Sequence, residues 1–398
     1  MSIPVASPVV PRLLPGYWPA SLAPARLAII DRETPFLAFD PDIVAAQLMR
    51  FRSALPGVSV HYAMKCNGDE TVLRRLHEQG AGFEIASVGE LRRLLELGVH
   101  AEDVLFSNPV KPPAAIAHAR AAGVWRFSFD SERELSKIAA EAPGAAVYLR
   151  LRVDDSDSVF PLSRKFGANS AEGLRGLLRA RELGLHPYGL TFHVGSQCTR
   201  PATWARAVAV AAQLMERLAE HGIVLNMLNL GGGFPAHYGG AVPSISSIGT
   251  AISEALEDHL PYQPGLIAAE PGRYLVAESG VLVATVLGRA VRDGQNWLYL
   301  DVGAYNGLME TLQTGQTWEF PLWTSRSGHG GGPLESFTVT GPSCDSSDTM
   351  FHDVRLPASL DEGDRIYIAS AGAYTLSYAS TFNGFPLPAA YPIDEVDG

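Results

Sequence analysis

Val58-Ser-Val-His-Tyr-Ala-Met-Lys65, followed at once by Cys66-Asn67, is a short run rich in apolar and β-branched residues that ends on a charged tip. Residues 71–79 then carry apolar side chains at helical spacing, so the segment reads as strand, polar tip and helix. The pattern recurs along the chain. Strand-like runs lie at 58–65, 82–87, 104–108, 125–130, 146–153, 189–195, 227–233 and 266–272, with helical stretches at 71–79, 88–97, 132–140, 171–183 and 202–220. Eight strands alternating with helices predict an α/β fold whose parallel strands close into an eight-stranded (β/α)8 barrel. An open doubly wound sheet is the alternative, but it requires fewer strands and a phosphate fingerprint in its first turn.

Active sites of such barrels collect at the C-terminal ends of the strands. Here those ends carry Lys65, Glu84 with Ser87, Asn108, Asp130, Arg150, His193, Gly231-Gly232-Gly233 and Glu270. Each has an ordinary reading: a buried histidine satisfied by a hydrogen bond, an ion pair of Arg150 with Glu84, a tight turn at the glycines. Their convergence from separate strands favours a site. Lysine is scarce, with only Lys65, Lys111, Lys137 and Lys165 in the chain. A long amine at a strand tip can form a Schiff base where its surroundings lower its pKa enough to leave free amine. The plain alternative is a lysine that snorkels to the surface.

With 398 residues, 46% hydrophobic and 18% charged, the chain exceeds one ordinary domain and can bury a full core. After residue 272 the texture changes to short β-branched runs at 281–287, 297–300, 336–340 and 365–369. The expected organisation is a barrel over 37–275 and a C-terminal β domain, barrel or sandwich, over 276–398. Residues 1–36 form a segment joining that β domain, and the glycine-rich stretch 327–333 reads as a mobile loop. A net charge of −11 without any basic block argues against nucleic acid and anionic membrane as partners. Cys66, Cys198 and Cys344 are too widely spaced for a disulfide framework or a zinc site, which fits a reducing cytoplasm. Residues 1–19 lack a positive n-region and are broken by prolines, so no signal peptide is expected, and no apolar run is long enough to span a bilayer.

Seven motifs then carry a resemblance. They are His61-Tyr-Ala-Met-Lys-Cys-Asn67, Gly82-Phe-Glu-Ile-Ala-Ser87, Thr191-Phe-His-Val-Gly-Ser-Gln197, Gly231-Gly-Gly-Phe-Pro235, Glu270-Pro-Gly-Arg273, Gly341-Pro-Ser-Cys-Asp345 and Gly372-Ala-Tyr-Thr375. In this order they resemble those of the group IV (fold type III) pyridoxal-phosphate decarboxylases of ornithine, lysine and diaminopimelate. The resemblance runs from about Pro35 to Phe385. Phe382-Asn-Gly-Phe385 and the Cys344-Asp345 pair are more similar to the ornithine/lysine enzymes than to the diaminopimelate ones.

The resemblance implies pyridoxal 5'-phosphate as cofactor, an electron sink for the carbanion left at Cα when carbon dioxide departs. It assigns Lys65 to the Schiff base with the cofactor, Glu270 to the pyridine nitrogen and His193 to the ring face. Gly231, Gly232 and Gly233 lack Cβ atoms and so let backbone N–H groups approach the phosphate, with Ser196, Arg273 and Tyr374 completing the cradle. Glu84 and Arg150 are expected as an ion pair near Lys65, supported by Glu90. Cys344 is expected to protonate Cα from the neighbouring subunit, so the resemblance implies a homodimer with shared active sites.

Substrate choice rests on fewer residues. A basic amino acid needs an anion at the far end of its side chain, and Asp345 fits that role. The similar short bacterial enzymes imply a second acidic residue soon after Glu310-Thr311-Leu312, where this chain has Gln313 and Thr314. Water, Glu310 or Glu319 stand as substitutes, or the substrate differs from plain ornithine and lysine. The expected activity is decarboxylation of ornithine or lysine to the diamine. Diaminopimelate decarboxylase is the runner-up, with Arg326 as the arginine for a second amino-acid head. A non-catalytic regulatory homologue has no chemical need for Lys65, the glycine loop, Glu270 and Cys344 together. A racemase requires bases on both faces of Cα, and the Cys344 motif resembles decarboxylases instead.

Overall fold

The computed structural model describes residues 18–315, 318–327 and 332–395. Residues 1–17 of the N-terminal segment and 328–331 of the expected mobile loop lie outside the described residues. Two compact units divide the chain. One is Val44–Pro235 with Val242–Leu275; the other takes the described residues up to Ile43, Ala236–Ala241 and those from Val276 onward.

The first unit is a closed barrel of eight strands. Their order is Met227–Asn229, Leu266–Ala269, Val58–Ala63, Gly82–Ile85, Val104–Phe106, Arg126–Phe129, Ala146–Leu151 and His186–Phe192, which returns to Met227–Asn229. Every pairing is parallel. Most of these strands stop two or three residues short of the run ends read from the sequence, because the backbone leaves the ladder there to enter the following turn. Lys65 accordingly sits on the 3-10 turn Met64–Cys66. Inside the barrel Leu105, Ala146, Tyr148, Tyr188 and Met227 pack as one buried cluster, each large apolar member contributing about 1.5–3 kcal/mol by leaving water.

The outer helices form where the sequence supplies both a cap and an apolar face. Ser87 accepts the Glu90 N–H at the start of Val88–Glu96, and Asn169 with Glu172 makes a full capping box at the start of Ser170–Glu182, a device worth about 1 kcal/mol. In Pro201–Glu220, buried Trp204, Ala207, Val208, Ala211, Leu214, Met215 and Leu218 mark the inward face, and Trp204 stacks on Phe234 at 5.0 Å between centroids. No described helix is long and apolar enough to cross a membrane.

The second unit holds an eight-stranded sheet built on the thirteen-residue strand Gly280–Arg292. That strand pairs with Arg365–Ala369 and with Gln295–Leu300, the latter across a register shift between Val286 and Gly288. Phe36–Phe39 also pairs with it, antiparallel to Gly280–Val283, and lies parallel to Ala389–Pro392 on its other side. The barrel boundary expected at 37 is therefore corrected to Val44. All four residues of Phe36–Phe39 are buried, which reads like a barrel strand, but the partner lies beyond the whole barrel sequence. Leu22, Leu27, Ile30, Phe36, Val281, Val283, Tyr367 and Ile393 share one core there.

Candidate active site

Glu270 follows the strand Leu266–Ala269 and is buried. Ser107 Oγ donates to its Oε1 at 2.6 Å and Asn229 Nδ2 donates to the same oxygen at 2.7 Å. Tyr148, buried beside them, lies 2.8 Å from Ser107 Oγ. Because the serine proton is committed to Glu270, the phenol donates to the serine. Burial and the neighbouring Glu270 charge push the Tyr148 pKa well above 10, so it keeps that proton. Asn229 Oδ1 in turn accepts the Gly231 N–H at 2.9 Å. Both side-chain donors address Oε1, and among the described residues none addresses Oε2. Burial, then repulsion from Glu84, raises the Glu270 pKa, against the opposing pull of Lys65 and the two donors.

Lys65 Nζ lies 2.8 Å from Glu84 Oε2, with the carboxylate side chain only 2% exposed. The Lys65 side chain is 44% exposed, so the surrounding protein depresses its pKa only in part, and the charges of Glu84, Glu270 and Glu90 outweigh that and make the net shift upward. The expectation of a depressed pKa is thus corrected: with these carboxylates around it, Lys65 holds its proton. Glu90 Oε2 accepts the Ala86 N–H at 2.6 Å and so fixes the backbone just after Glu84. The expected pair of Glu84 with Arg150 does not form among the described residues. Glu84 takes Lys65, and the Arg150 guanidinium stacks over Phe166 at 5.0 Å.

His193 Nδ1 accepts the Gly195 N–H at 3.0 Å. Burial and the Arg150 and Lys65 charges push its pKa well below 6.5, so the ring is neutral and carries its proton on Nε2. A Cβ on Gly232 would lie 2.8 Å from the Glu270 carbonyl and 3.1 Å from His193 Nε2, which places the glycine turn against both. Gly231 (φ +63°) would overlap the Phe192 carbonyl with any side chain. Arg273 Nε donates to Ser196 Oγ at 3.3 Å, and its guanidinium lies 5.4 Å above the Phe160 ring.

The family described as pyridoxal-dependent decarboxylase, pyridoxal binding domain, matches residues 42–277. The chain is 36% identical to a lysine/ornithine decarboxylase of Selenomonas ruminantium over 89% of this chain and 88% of that one. It is 35% identical to the ornithine decarboxylase of Mus musculus, over 91% and 80%. The solved lysine/ornithine decarboxylase of Vibrio vulnificus complexed with cadaverine superposes with a TM-score of 0.81 at 35% identity, covering 90% of this chain and 92% of that one. The chain belongs to the pyridoxal-dependent decarboxylases.

The cofactor of these decarboxylases is pyridoxal phosphate, and the barrel mouth fits it on its own chemistry. Lys65 would supply the amine for the cofactor's aldehyde once Glu84 or water takes the proton. Glu270 Oε2, which no described side-chain donor addresses, would accept from a pyridine N–H. The Gly232 and Gly233 N–H groups, which have no acceptor among the described residues, would donate to a phosphate. Ser107, Tyr148 and Asn229 were not read as site residues from the sequence. Ser107 directly precedes the strand-tip Asn108 that was, and Asn229 ends its strand two residues before Gly231, so proximity to strand ends was the available signal.

The decarboxylase's remaining expected residues lie in the second unit. Cys344 is exposed, its Sγ 3.5 Å from Asn383 Oδ1. Asp345 Oδ2 accepts from the Tyr305 hydroxyl and Oδ1 from the Ser347 N–H, both at 2.9 Å, and these donors hold its pKa below the usual carboxylate range. Tyr374 adopts a positive φ of 61° and stacks on Tyr378 at 5.4 Å. Glu310 is buried and Gln313 exposed at opposite ends of the short helix Glu310–Gln313, and Thr314 turns its hydroxyl onto the Glu310 carbonyl. Arg326 is held by both oxygens of Asp364, at 2.8 and 3.0 Å.

Proposed function

We propose that this chain decarboxylates a basic L-amino acid, ornithine or lysine, to the corresponding diamine. The observation that carries the reading is Glu270, with both side-chain donors on Oε1 and Oε2 left to accept a ring N–H. Bound pyridoxal phosphate supplies the sink for the electrons of the breaking Cα–carboxylate bond. Lys65 Nζ is the amine that would hold the cofactor through its aldehyde carbon. Glu270 keeps the ring nitrogen protonated, which deepens the sink. Neutral His193 would face the cofactor ring, and Glu84, stripped of water, steadies the positive charge on Lys65. The Gly232 and Gly233 N–H groups, Ser196 and Arg273 would hold the phosphate, and the resemblance adds Tyr374 to them.

In this reading Cys344 delivers the proton to Cα, and Asp345 faces the distal ammonium. The homodimer follows, because the resemblance gives Cys344 to the site of the neighbouring subunit. Engagement of Arg326 by Asp364 disfavours diaminopimelate, whose second head needs an arginine free for its carboxylate. Three free cysteines support a reducing, cytoplasmic setting.

The test is to supply pyridoxal phosphate with ornithine, lysine, arginine, diaminobutyrate or diaminopimelate and to identify the amine released. Putrescine or cadaverine is expected. Turnover of diaminopimelate alone would replace the substrate assignment, and cofactor binding without carbon dioxide release from any of the five would leave a regulatory homologue.

A further inference from the structure

Two of the chain's four lysines converge on one buried carboxylate away from the cofactor. Lys111 is fully buried, and its ammonium lies 3.0 Å from Glu134 Oε1, whose other oxygen meets Lys137 at 2.5 Å. The Lys111 ammonium also donates to the Asn108 carbonyl at 2.8 Å and to the Ser128 carbonyl at 2.6 Å. Those carbonyls belong to neighbouring barrel strands, one just past the end of Val104–Phe106 and the other within Arg126–Phe129. The ladder between these strands is thin, with Phe106 opposite Phe127 as its single registered pair. Beyond that rung a side-chain cation takes the place of backbone hydrogen bonds.

The residue next to Asn108 is Ser107. Its N–H is tied to Ile85 at 3.1 Å on one side, and on the other its backbone lies between the Phe106–Phe127 rung and the Lys111 bridge. Its hydroxyl donates to Glu270. We infer that Lys111 is a positioning residue: by bridging the Asn108 and Ser128 carbonyls it holds Ser107 against Glu270 and so fixes the carboxylate that faces the cofactor ring. What Glu270 does rests on the decarboxylase reading; that Lys111 positions Ser107 does not. A buried pair kept only for stability is replaceable by apolar or neutral groups. A pair kept for registration is not, because misplacing a reacting group by about an ångström can cost up to about 100-fold in rate.

The experiment uses the holoenzyme and four variants: Ser107→Ala, Lys111→Met with Glu134→Gln, Lys111→Gln, and the combination of Ser107→Ala with Lys111→Met and Glu134→Gln. Glu134→Gln keeps an oxygen for the Lys111 N–H while removing the second charge of the pair. The Met/Gln variant should lose about 10- to 100-fold in kcat with KM little changed, and Lys111→Gln, which retains a donor, should lose less. Adding Ser107→Ala should cost the Met/Gln variant less than about twofold more, because both changes act through one contact. Hydrogen exchange of the segment spanning Ser107 and Asn108, measured on cofactor-free protein, should accelerate in the Lys111 variants. Losses that multiply in the combination, kcat within twofold of wild type, or unchanged exchange would each overturn the inference. If the wild-type chain turns over none of the amino acids, the decarboxylase reading fails while the exchange measurement still decides the bridge.

Discussion

Glu270→Gln is the sharpest perturbation of the site, because the structure dictates which way the new amide must point. Asn229 Nδ2 is a donor, and Ser107 Oγ is one too, since it receives the Tyr148 proton; both aim at Oε1. The glutamine oxygen must therefore occupy the Oε1 position, and its NH2 must replace Oε2. A group that accepts a proton becomes one that presents two, at the point where the ring N–H arrives. What is lost is a charge-assisted hydrogen bond in a buried setting, about 1.5–3 kcal/mol. If the loss falls on the transition state, kcat drops about 10- to 150-fold. Steady-state decarboxylation gives the rate, and cofactor absorbance reports whether the ring is still bound. A variant that binds cofactor normally and turns over within threefold of wild type would refute the claim that Glu270 faces the ring nitrogen.

Three further outcomes follow from the same geometry. Lys65→Ala and Cys344→Ala proteins, each deficient alone, should on mixing recover up to about a quarter of wild-type diamine production, because random pairing makes half heterodimers with one intact site of two; no recovery despite demonstrated subunit exchange would place both residues in one chain. Gln313→Asp should improve the kcat/KM ratio of ornithine over norleucine and Asp345→Ala should reduce it, and unchanged ratios in both would mean that neither residue reads the distal amine. Burial, opposed by the Glu134 charge, holds the Lys111 pKa down to about 8 from 10.5, so the folded state binds fewer protons than the unfolded one between those values. The urea stability of wild type relative to Lys111→Met should then rise by up to about 3 kcal/mol from pH 7 to pH 10, and a difference that shrinks over that window would contradict the depressed pKa.

The barrel was legible because each strand ends on a polar tip and each helix carries an apolar stripe, two periodicities that local sequence exposes. Pro113–Ala121 escaped notice because its small alanines give little contrast between faces. Thr349–Pro357 escaped because His352, Asp353 and Arg355 interrupt its apolar residues, although it forms a nine-residue strand. The site was legible where one residue type carries the chemistry, as at Lys65 and Glu270. It was not legible where a residue acts by touching another across the barrel: Tyr148 is an ordinary core aromatic until Ser107, forty-one positions away, is brought within 2.8 Å. The sign of the Lys65 shift likewise needed the summed positions of three carboxylates.

Phe36–Phe39, whose two neighbours in the sheet come from Gly280–Arg292 and Ala389–Pro392, imposes an order on synthesis. As the polypeptide leaves the ribosome, this apolar strand emerges first, and its antiparallel mate follows only after the entire barrel has been made. Until then two phenylalanines and a leucine that end up within 1% exposure have no sheet to join and present an open edge to other chains. A version cut after Leu275 would retain every barrel strand and still carry that unmatched edge, and it should aggregate unless the first forty residues are removed with it.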